Sequence, residues 1–337
     1  MKTELYRTDG MGGLTRLDEE VKDLLATSVR VDISTTSLNF RDLPFIRGNE
    51  SREPALHRVP LSDAVGLVSA VGSDVTRVSV GDRVSPTIIP LWIDGPLDAT
   101  CFRGSLASNT QDGVLARTIV VEQNALVKVP DYLSDYEAAT LPTAAITAWH
   151  ALVEIKSVAP GDVILIETTG GVATFSLQIA AALGLKAIVT SRSDKKLERA
   201  RELGAWQTIN SEQNPDWDKE IHAMTDGQGA KLVVDMGLRG GLVRSCRAAA
   251  FEGTVGIVGM LDGWKTNFDI APVMNKNLRV RGIETGSRVM FERMLDFFSL
   301  KKIHPVIASQ FKFSEIEEAL DALAKGPLGK IVIDMSS

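Results

Sequence analysis

The sequence predicts an α/β protein in which a doubly wound parallel sheet is joined to a compact, mostly antiparallel β domain. Three observations carry this. A glycine-bearing turn, Thr168-Thr169-Gly170-Gly171-Val172-Ala173, connects an apolar run to an amphipathic helix. From residue 163 onward, apolar strands alternate with helices. The first 120 residues differ, with short segments separated by turn-rich pieces.

In chain order, the first strand pair looks degenerate around Asp9-Gly10-Met11-Gly12-Gly13, while residues 66–71 and 113–122 read as short strands. Gly72-Ser73-Asp74 and Gly81-Asp82-Arg83 are turns between such pieces. Residues 135–155 predict a long helix with Pro142 in its path, hence a kinked or broken connector. Val163-Ile164-Leu165-Ile166 reads as a buried parallel strand, and the helix after the glycine turn places Phe175, Leu177, Ile179, Ala180 and Leu183 on one side. Residues 187–190 form the next strand, followed by a helix over 195–203 closed by Gly204. Strands at 207–209, 232–235, 254–258 and 278–283 bring the parallel set to six.

At 337 residues the chain suits two domains with sizeable cores. Apolar content of 44% and charged content of 24% are those of a globular protein, and the formal net charge of −6 gives no electrostatic reason to expect nucleic acid. No apolar run approaches the roughly 20 residues that span a bilayer, and the first residues lack the apolar core of a signal peptide, so a cytoplasmic location is expected. Cys101 and Cys246 are the only cysteines, and they read as two unpaired thiols.

Glycines at a strand-to-helix turn let the backbone approach phosphate oxygens, and the first helical turn offers free N–H groups and a positive dipole end. Gly170, Gly171 and Val172 are therefore candidates to line a pyrophosphate, although Thr168 stands where G-x-G-x-x-G has its first glycine and Ala173 where it has its third. In such units the end of the second strand meets the adenosine ribose, where a carboxylate suits NAD and basic or hydroxyl groups suit a 2′-phosphate. Ser191, Arg192 and Lys196 stand there, with Lys195 beside them, so the reading is NADP(H). Asp194 reads as the N-cap of the following helix. The alternative for these cations is a solvated face.

Leu38-Asn39-Phe40-Arg41-Asp42, Pro60-Leu61-Ser62-Asp63-Ala64-Val65-Gly66, Val80-Gly81-Asp82-Arg83-Val84, Leu141-Pro142-Thr143-Ala144-Ala145-Ile146-Thr147-Ala148-Trp149 and Gly326-Pro327-Leu328-Gly329-Lys330-Ile331-Val332 together resemble the medium-chain dehydrogenase/reductase superfamily. They look most like its zinc-independent branch, the quinone oxidoreductases and zinc-free alcohol dehydrogenases. The resemblance implies a discontinuous GroES-like catalytic domain, residues 1–123 and 286–337, and a Rossmann nucleotide-binding domain, residues 124–285. It also implies a homodimer made through the nucleotide domains and a small-molecule substrate, with neither membrane nor nucleic acid as partner.

In zinc-dependent relatives a cysteine, a histidine and a further cysteine or acid hold the catalytic metal. The matching positions here are Asn39, Asp63 and Thr143, a poor donor set for zinc. The lobe for structural zinc is replaced by residues 89–113, with Cys101 as its only thiol. His150 reads as a packed core residue, and His57, His222 and His304 lie in unrelated segments. No metal is expected.

A metal-free site favours acceptors that spread the incoming charge, which points to NADPH-dependent hydride transfer to a quinone or a carbonyl-conjugated C=C bond. By resemblance, Asn39 faces the nicotinamide and pocket, Thr143 and Thr147 touch the nicotinamide ribose or carboxamide, and Gly259, Met260 and Leu261 approach the nicotinamide side. Asn39 and Thr143 are the candidates for positioning the reacting groups. For Asn39 the alternative is a turn asparagine bonding its own backbone. Asp63 reads as a structural residue orienting Arg83 or another loop partner, with a proton donor as the alternative, and Asp42 is open in the same way. Trp92, with Leu91, Ile93 and Pro96, either covers an apolar or aromatic substrate or packs the domain. Pro327 stands where relatives often carry His or Asn, which removes one polar contact. Two other activities remain: a zinc-free alcohol dehydrogenase or carbonyl reductase, for which Tyr6, Tyr132 and Tyr136 provide no recognisable Tyr/Lys acid pair, and an NADPH-binding protein without turnover.

Overall fold

The computed structural model describes every residue except Ser51, Arg239, Trp264 and Ser337. The chain divides into two compact units, one of Met1–Ile146 with Thr285–Ser337, the other of Thr147–Glu284.

The second unit is built on a six-stranded, all-parallel sheet in the spatial order Gln207–Asn210, Lys186–Ser191, Val163–Glu167, Ala230–Asp235, Ala249–Ile257, Arg279–Gly282. The inner strands Val163–Glu167, Lys186–Ser191 and Ala230–Asp235 are near-continuous aliphatic runs, as expected of parallel strands buried on both faces. Ile164, Leu165, Ile166, Ala187, Ile188, Val233 and Val234 are all buried. All six expected strands appear, in the doubly wound arrangement. Strand order reverses between Val163–Glu167 and Ala230–Asp235, the place where such sheets bind ligands. The helix Gly171–Leu183 buries Phe175, Leu177, Ile179 and Ala180 and stops at Gly184, whose φ of 73° ends it in the left-handed conformation.

The first unit carries a seven-stranded sheet. Its main path runs Ile307–Lys312, Lys330–Asp334, Ser28–Ser37, Asp63–Val71, Arg83–Pro86, Leu126–Lys128, and Thr118–Glu122 pairs with Ser28–Ser37. Apart from the parallel pair Ile307–Lys312 and Lys330–Asp334, the ladders are antiparallel. Residues 124–146, expected with the nucleotide-binding part, pack in this unit, where Leu126–Lys128 completes the sheet against Arg83–Pro86.

One local expectation needs correction. The amino-terminal pair is a regular antiparallel hairpin, Lys2–Thr8 with Leu14–Glu20. Asp9 makes its turn by accepting from the N–H groups of Met11 and Gly13 at 2.7 and 3.0 Å. The connector over 135–155 is broken, as Pro142 in its path implies. Asp135–Ala138 ends before Pro142, and wide π-type turns, Leu141–Ala145 and His150–Glu154, flank Ile146–Trp149. No helix among the described residues is long and apolar enough to cross a membrane.

Candidate active site

Four segments of the first unit converge on a buried polar cluster. Ser37 ends the strand Ser28–Ser37 and pairs with Asp63, the first residue of Asp63–Val71. Lys330 begins the neighbouring strand Lys330–Asp334, which Leu38 joins through a bond from its N–H to the Ile331 carbonyl. Thr143 comes from the turn Leu141–Ala145. Asp63 is 0% and Lys330 3% exposed.

The Lys330 ammonium donates to three oxygens: Asn39 Oδ1 at 2.6 Å, the Leu38 carbonyl at 2.7 Å and Asp63 Oδ2 at 3.1 Å. Asp63 Oδ2 also accepts from Ser37 Oγ at 3.2 Å, and Asp63 Oδ1 accepts from the hydroxyls of Thr143 and Ser62. A carboxylate with an ammonium and three hydroxyls around it is a satisfied buried ion. Removing either partner of such a pair costs about 3–5 kcal/mol, because the other charge is left stranded. Asn39 is gripped a second time: its backbone N–H donates to Asp42 Oδ2 at 2.7 Å. Burial pushes the Asp42 carboxyl up to about 7, against the opposing pull of Arg41. The Asn39 Nδ2 and Asp42 Oδ1 atoms are buried without a hydrogen-bond partner.

In the second unit, the turn after Val163–Glu167 carries Thr168 at φ +65°, so a β-branched residue occupies the left-handed conformation where the fingerprint has its first glycine. Gly170 caps the helix Gly171–Leu183, and a Cβ built on it meets nothing within 4 Å, which leaves its backbone open to a large anion. Ser191 is the last residue of Lys186–Ser191. Arg192 beyond it is exposed, and Ser191 and Lys196 are half-buried. Asp194 is not the N-cap: Ser193 holds that position, and the Asp194 carboxylate accepts from the Asn210 and Gln213 side chains at 2.7 and 2.9 Å. Gly259, Met260 and Leu261 follow Ala249–Ile257, and the Leu261 N–H bonds the Met236 carbonyl.

Beneath this end of the sheet lies a pair that sequence reasoning passed over. Glu167 and Asp235 close adjacent parallel strands. Glu167 accepts from the Met236 N–H and from Ser245 Oγ, each at 2.9 Å, and Asp235 accepts from the Gly237 N–H at 2.8 Å. Burial, reinforced by Asp235, pushes the Glu167 carboxyl up to about 8, and burial raises Asp235 as well.

The structure thus brings Asn39, Asp42, Asp63 and Thr143 together in one unit, whereas Thr147 and the phosphate candidates belong to the other. Lys330, the centre of the cluster, lay unremarked within Gly326-Pro327-Leu328-Gly329-Lys330-Ile331-Val332; its signal was a lysine directly before the apolar run Ile331-Val332-Ile333. Asp63 does not orient Arg83, which instead bonds Asp135 and the Leu133 carbonyl. The reason is register: Arg83 sits opposite Leu67, four residues along the strand from Asp63. Trp92 is 3% exposed and packs with Ile88, Ile89 and Leu97, its indole donating to the Gly95 carbonyl at 2.8 Å. His150 is buried, with Nδ1 2.9 Å from the Glu284 carbonyl oxygen. Both cysteines are free. A cavity of about 490 Å³ in the first unit, lined by residues including Arg77, Lys128, Glu292 and Asp296, shares no residue with the Lys330 cluster.

Residues 26–131 match the model of the alcohol dehydrogenase GroES-like domain, and residues 171–300 match that of the zinc-binding dehydrogenases. A zinc-type alcohol dehydrogenase-like protein of Schizosaccharomyces pombe is 37% identical over 313 residues, covering 90% of each chain. The chain belongs to the medium-chain dehydrogenase/reductase superfamily. Among solved members, a candidate alcohol dehydrogenase from Sinorhizobium meliloti 1021 superimposes with a TM-score of 0.92 at 35% identity over 99% of both chains. A Pseudomonas syringae quinone oxidoreductase does so with 0.82 at 26% identity, over 99% of this chain and 100% of that one. This medium-chain dehydrogenase/reductase is an oxidoreductase with the nucleotide-binding fold of its superfamily. Its residues do not fit the metal named for some relatives: the oxygens of Asp63 and Asn39 already bind an ammonium, and Thr143 adds only a hydroxyl. The open backbone at Gly170 does fit a dinucleotide pyrophosphate.

Proposed function

We propose that this protein is an NADPH-dependent, zinc-independent reductase of quinones or carbonyl-conjugated C=C bonds. The observation that carries the reading is the Lys330 ammonium bound to Asp63 and Asn39, which puts a fixed positive charge where a zinc enzyme needs vacant ligands. Without a Lewis acid, the acceptors favoured are those that delocalise the charge they receive. Bound NADPH would supply the hydride. Gly170, Gly171 and Val172 would hold the pyrophosphate through backbone N–H groups, Ser191, Arg192 and Lys196 the 2′-phosphate, and Thr143, Thr147 and Gly259 to Leu261 the nicotinamide half. Asn39 would meet the acceptor. The half-buried hydroxyl and the exposed guanidinium after Lys186–Ser191 support NADPH over NADH.

A zinc-free alcohol dehydrogenase is the second reading. It is favoured by the Thr143 hydroxyl bonded to Asp63, a route for a proton, and, for alcohol dehydrogenase chemistry without regard to zinc, by the names of the S. pombe and S. meliloti relatives. Steady-state kinetics with one quinone and either cofactor test the cofactor assignment. The expected result is a kcat/KM for NADPH at least about tenfold above that for NADH, a preference that Arg192→Ala abolishes while sparing NADH. Equal use of both cofactors by the unmodified enzyme would refute it.

A further inference from the structure

The three protons of the Lys330 ammonium are matched by three oxygens at 2.6, 2.7 and 3.1 Å. An ammonium has no lone pair, so the end of the Asn39 carboxamide that touches it is the oxygen, and the orientation of that amide follows from chemistry. The Nδ2 end therefore points away from Lys330. It is buried and has no acceptor, in a residue only 8% exposed. A buried N–H left unpaired costs about 1–3 kcal/mol, a cost that a bound carbonyl oxygen would relieve. Lys330 cannot itself donate to a substrate without giving up one of its three bonds. Its positive charge instead draws electron density toward Asn39 Oδ1, which makes the Nδ2 protons stronger donors. Asp63 balances the charge and, with the Leu38 carbonyl, stops the ammonium from turning.

Resting on the reading above, we propose that Lys330 is a positioning residue for the reduction: it fixes and polarises the Asn39 carboxamide so that Nδ2 donates to the carbonyl oxygen of a conjugated acceptor. As hydride from the reduced nicotinamide nucleotide forms a C–H bond at the β-carbon, the C=C π pair moves between the α and carbonyl carbons. The carbonyl π pair moves onto oxygen, where Asn39 stabilises the enolate. A solvent proton then completes the saturated ketone. For a quinone, the enolate oxygen takes the solvent proton, and the carbon that received hydride then loses a proton to solvent as the second carbonyl oxygen gains one, which gives the hydroquinone.

The test is a double-mutant cycle between Asn39→Ala and the paired change Lys330→Met with Asp63→Asn, which removes both buried charges together and strands neither. Each change alone is expected to lower kcat about 10²-fold with NADPH affinity unchanged, and the combination is expected to lie within about twofold of Asn39→Ala alone. Multiplied losses of about 10⁴-fold would overturn the proposal, because Lys330 would then act independently of Asn39. The Asn39 side-chain amide resonance, identified by its absence in Asn39→Ala, gives a readout free of turnover. It shifts when acceptor binds to the unmodified protein with oxidised cofactor, and a resonance that does not move would also overturn the proposal. An unmodified enzyme that reduces only simple ketones would instead sink the functional reading, while the cycle can still be read with that ketone.

Discussion

Thr168 holds φ at +65°, a conformation that costs an ordinary L-residue about 1–2 kcal/mol and more for one branched at Cβ. It sits at the start of the turn that would receive phosphate, so the strain lies at the site and is held by the rigid strand and helix on either side. Thr168→Gly is expected to raise unfolding stability by about 1 kcal/mol, less than the full strain because glycine also gains freedom in the unfolded chain. Urea denaturation measures this, and a loss of stability would mean that the threonine side chain contributes more than its backbone costs. The missing first glycine was visible in the sequence, but the conformation forced on its replacement was not, since nothing local to Thr168 asks for a positive φ.

At the scale of elements, the legible parts were those with a regular period. The aliphatic strands Val163–Glu167 and Ala230–Asp235 and the helix Gly171–Leu183 announced themselves, and the doubly wound parallel sheet followed from their alternation. What stayed hidden came from register and from long-range pairing. Lys330 meets Asn39 and Asp63 only because its strand docks beside Ser28–Ser37, some 290 residues away in sequence. Glu167 and Asp235 meet only because their strands are neighbours. This acidic pair has a measurable consequence. With the Glu167 carboxyl pushed up to about 8 and its unfolded value near 4.3, the native state keeps a proton that the unfolded chain has lost between those values, so stability falls as pH rises through that window. Glu167→Gln keeps an acceptor for the Met236 N–H and removes the titration. Its stability is expected to fall less between pH 5 and pH 8 than that of the unmodified protein, by at least about 1 kcal/mol. Parallel stability curves for the two proteins would contradict the assignment.

At the scale of the whole molecule, the parallel sheet ends in an open edge, Arg279–Gly282, all four residues of which are exposed. Val280 on it is 37% exposed, and Ile270 and Met274, just before it in the chain, are 58% and 67% exposed. An unpaired edge beside apolar side chains favours pairing with a second strand. A two-fold axis through the edge of a second copy would satisfy both edges at once. Light scattering is expected to give a dimer mass, and Val280→Asp is expected to give monomers. A monomeric unmodified protein would rule this interface out.

On the function proposed above, the buried Lys330, and no metal, organises the chemistry of the first unit. Chelator-treated protein, verified free of zinc by elemental analysis, should be mixed with NADPH and offered in turn a quinone, an enone and a simple ketone while absorbance is followed. The expected result is turnover of the two conjugated acceptors at rates unchanged by added zinc, and none of the ketone. Activity that appears only when zinc is restored, or that favours the simple ketone, would contradict it.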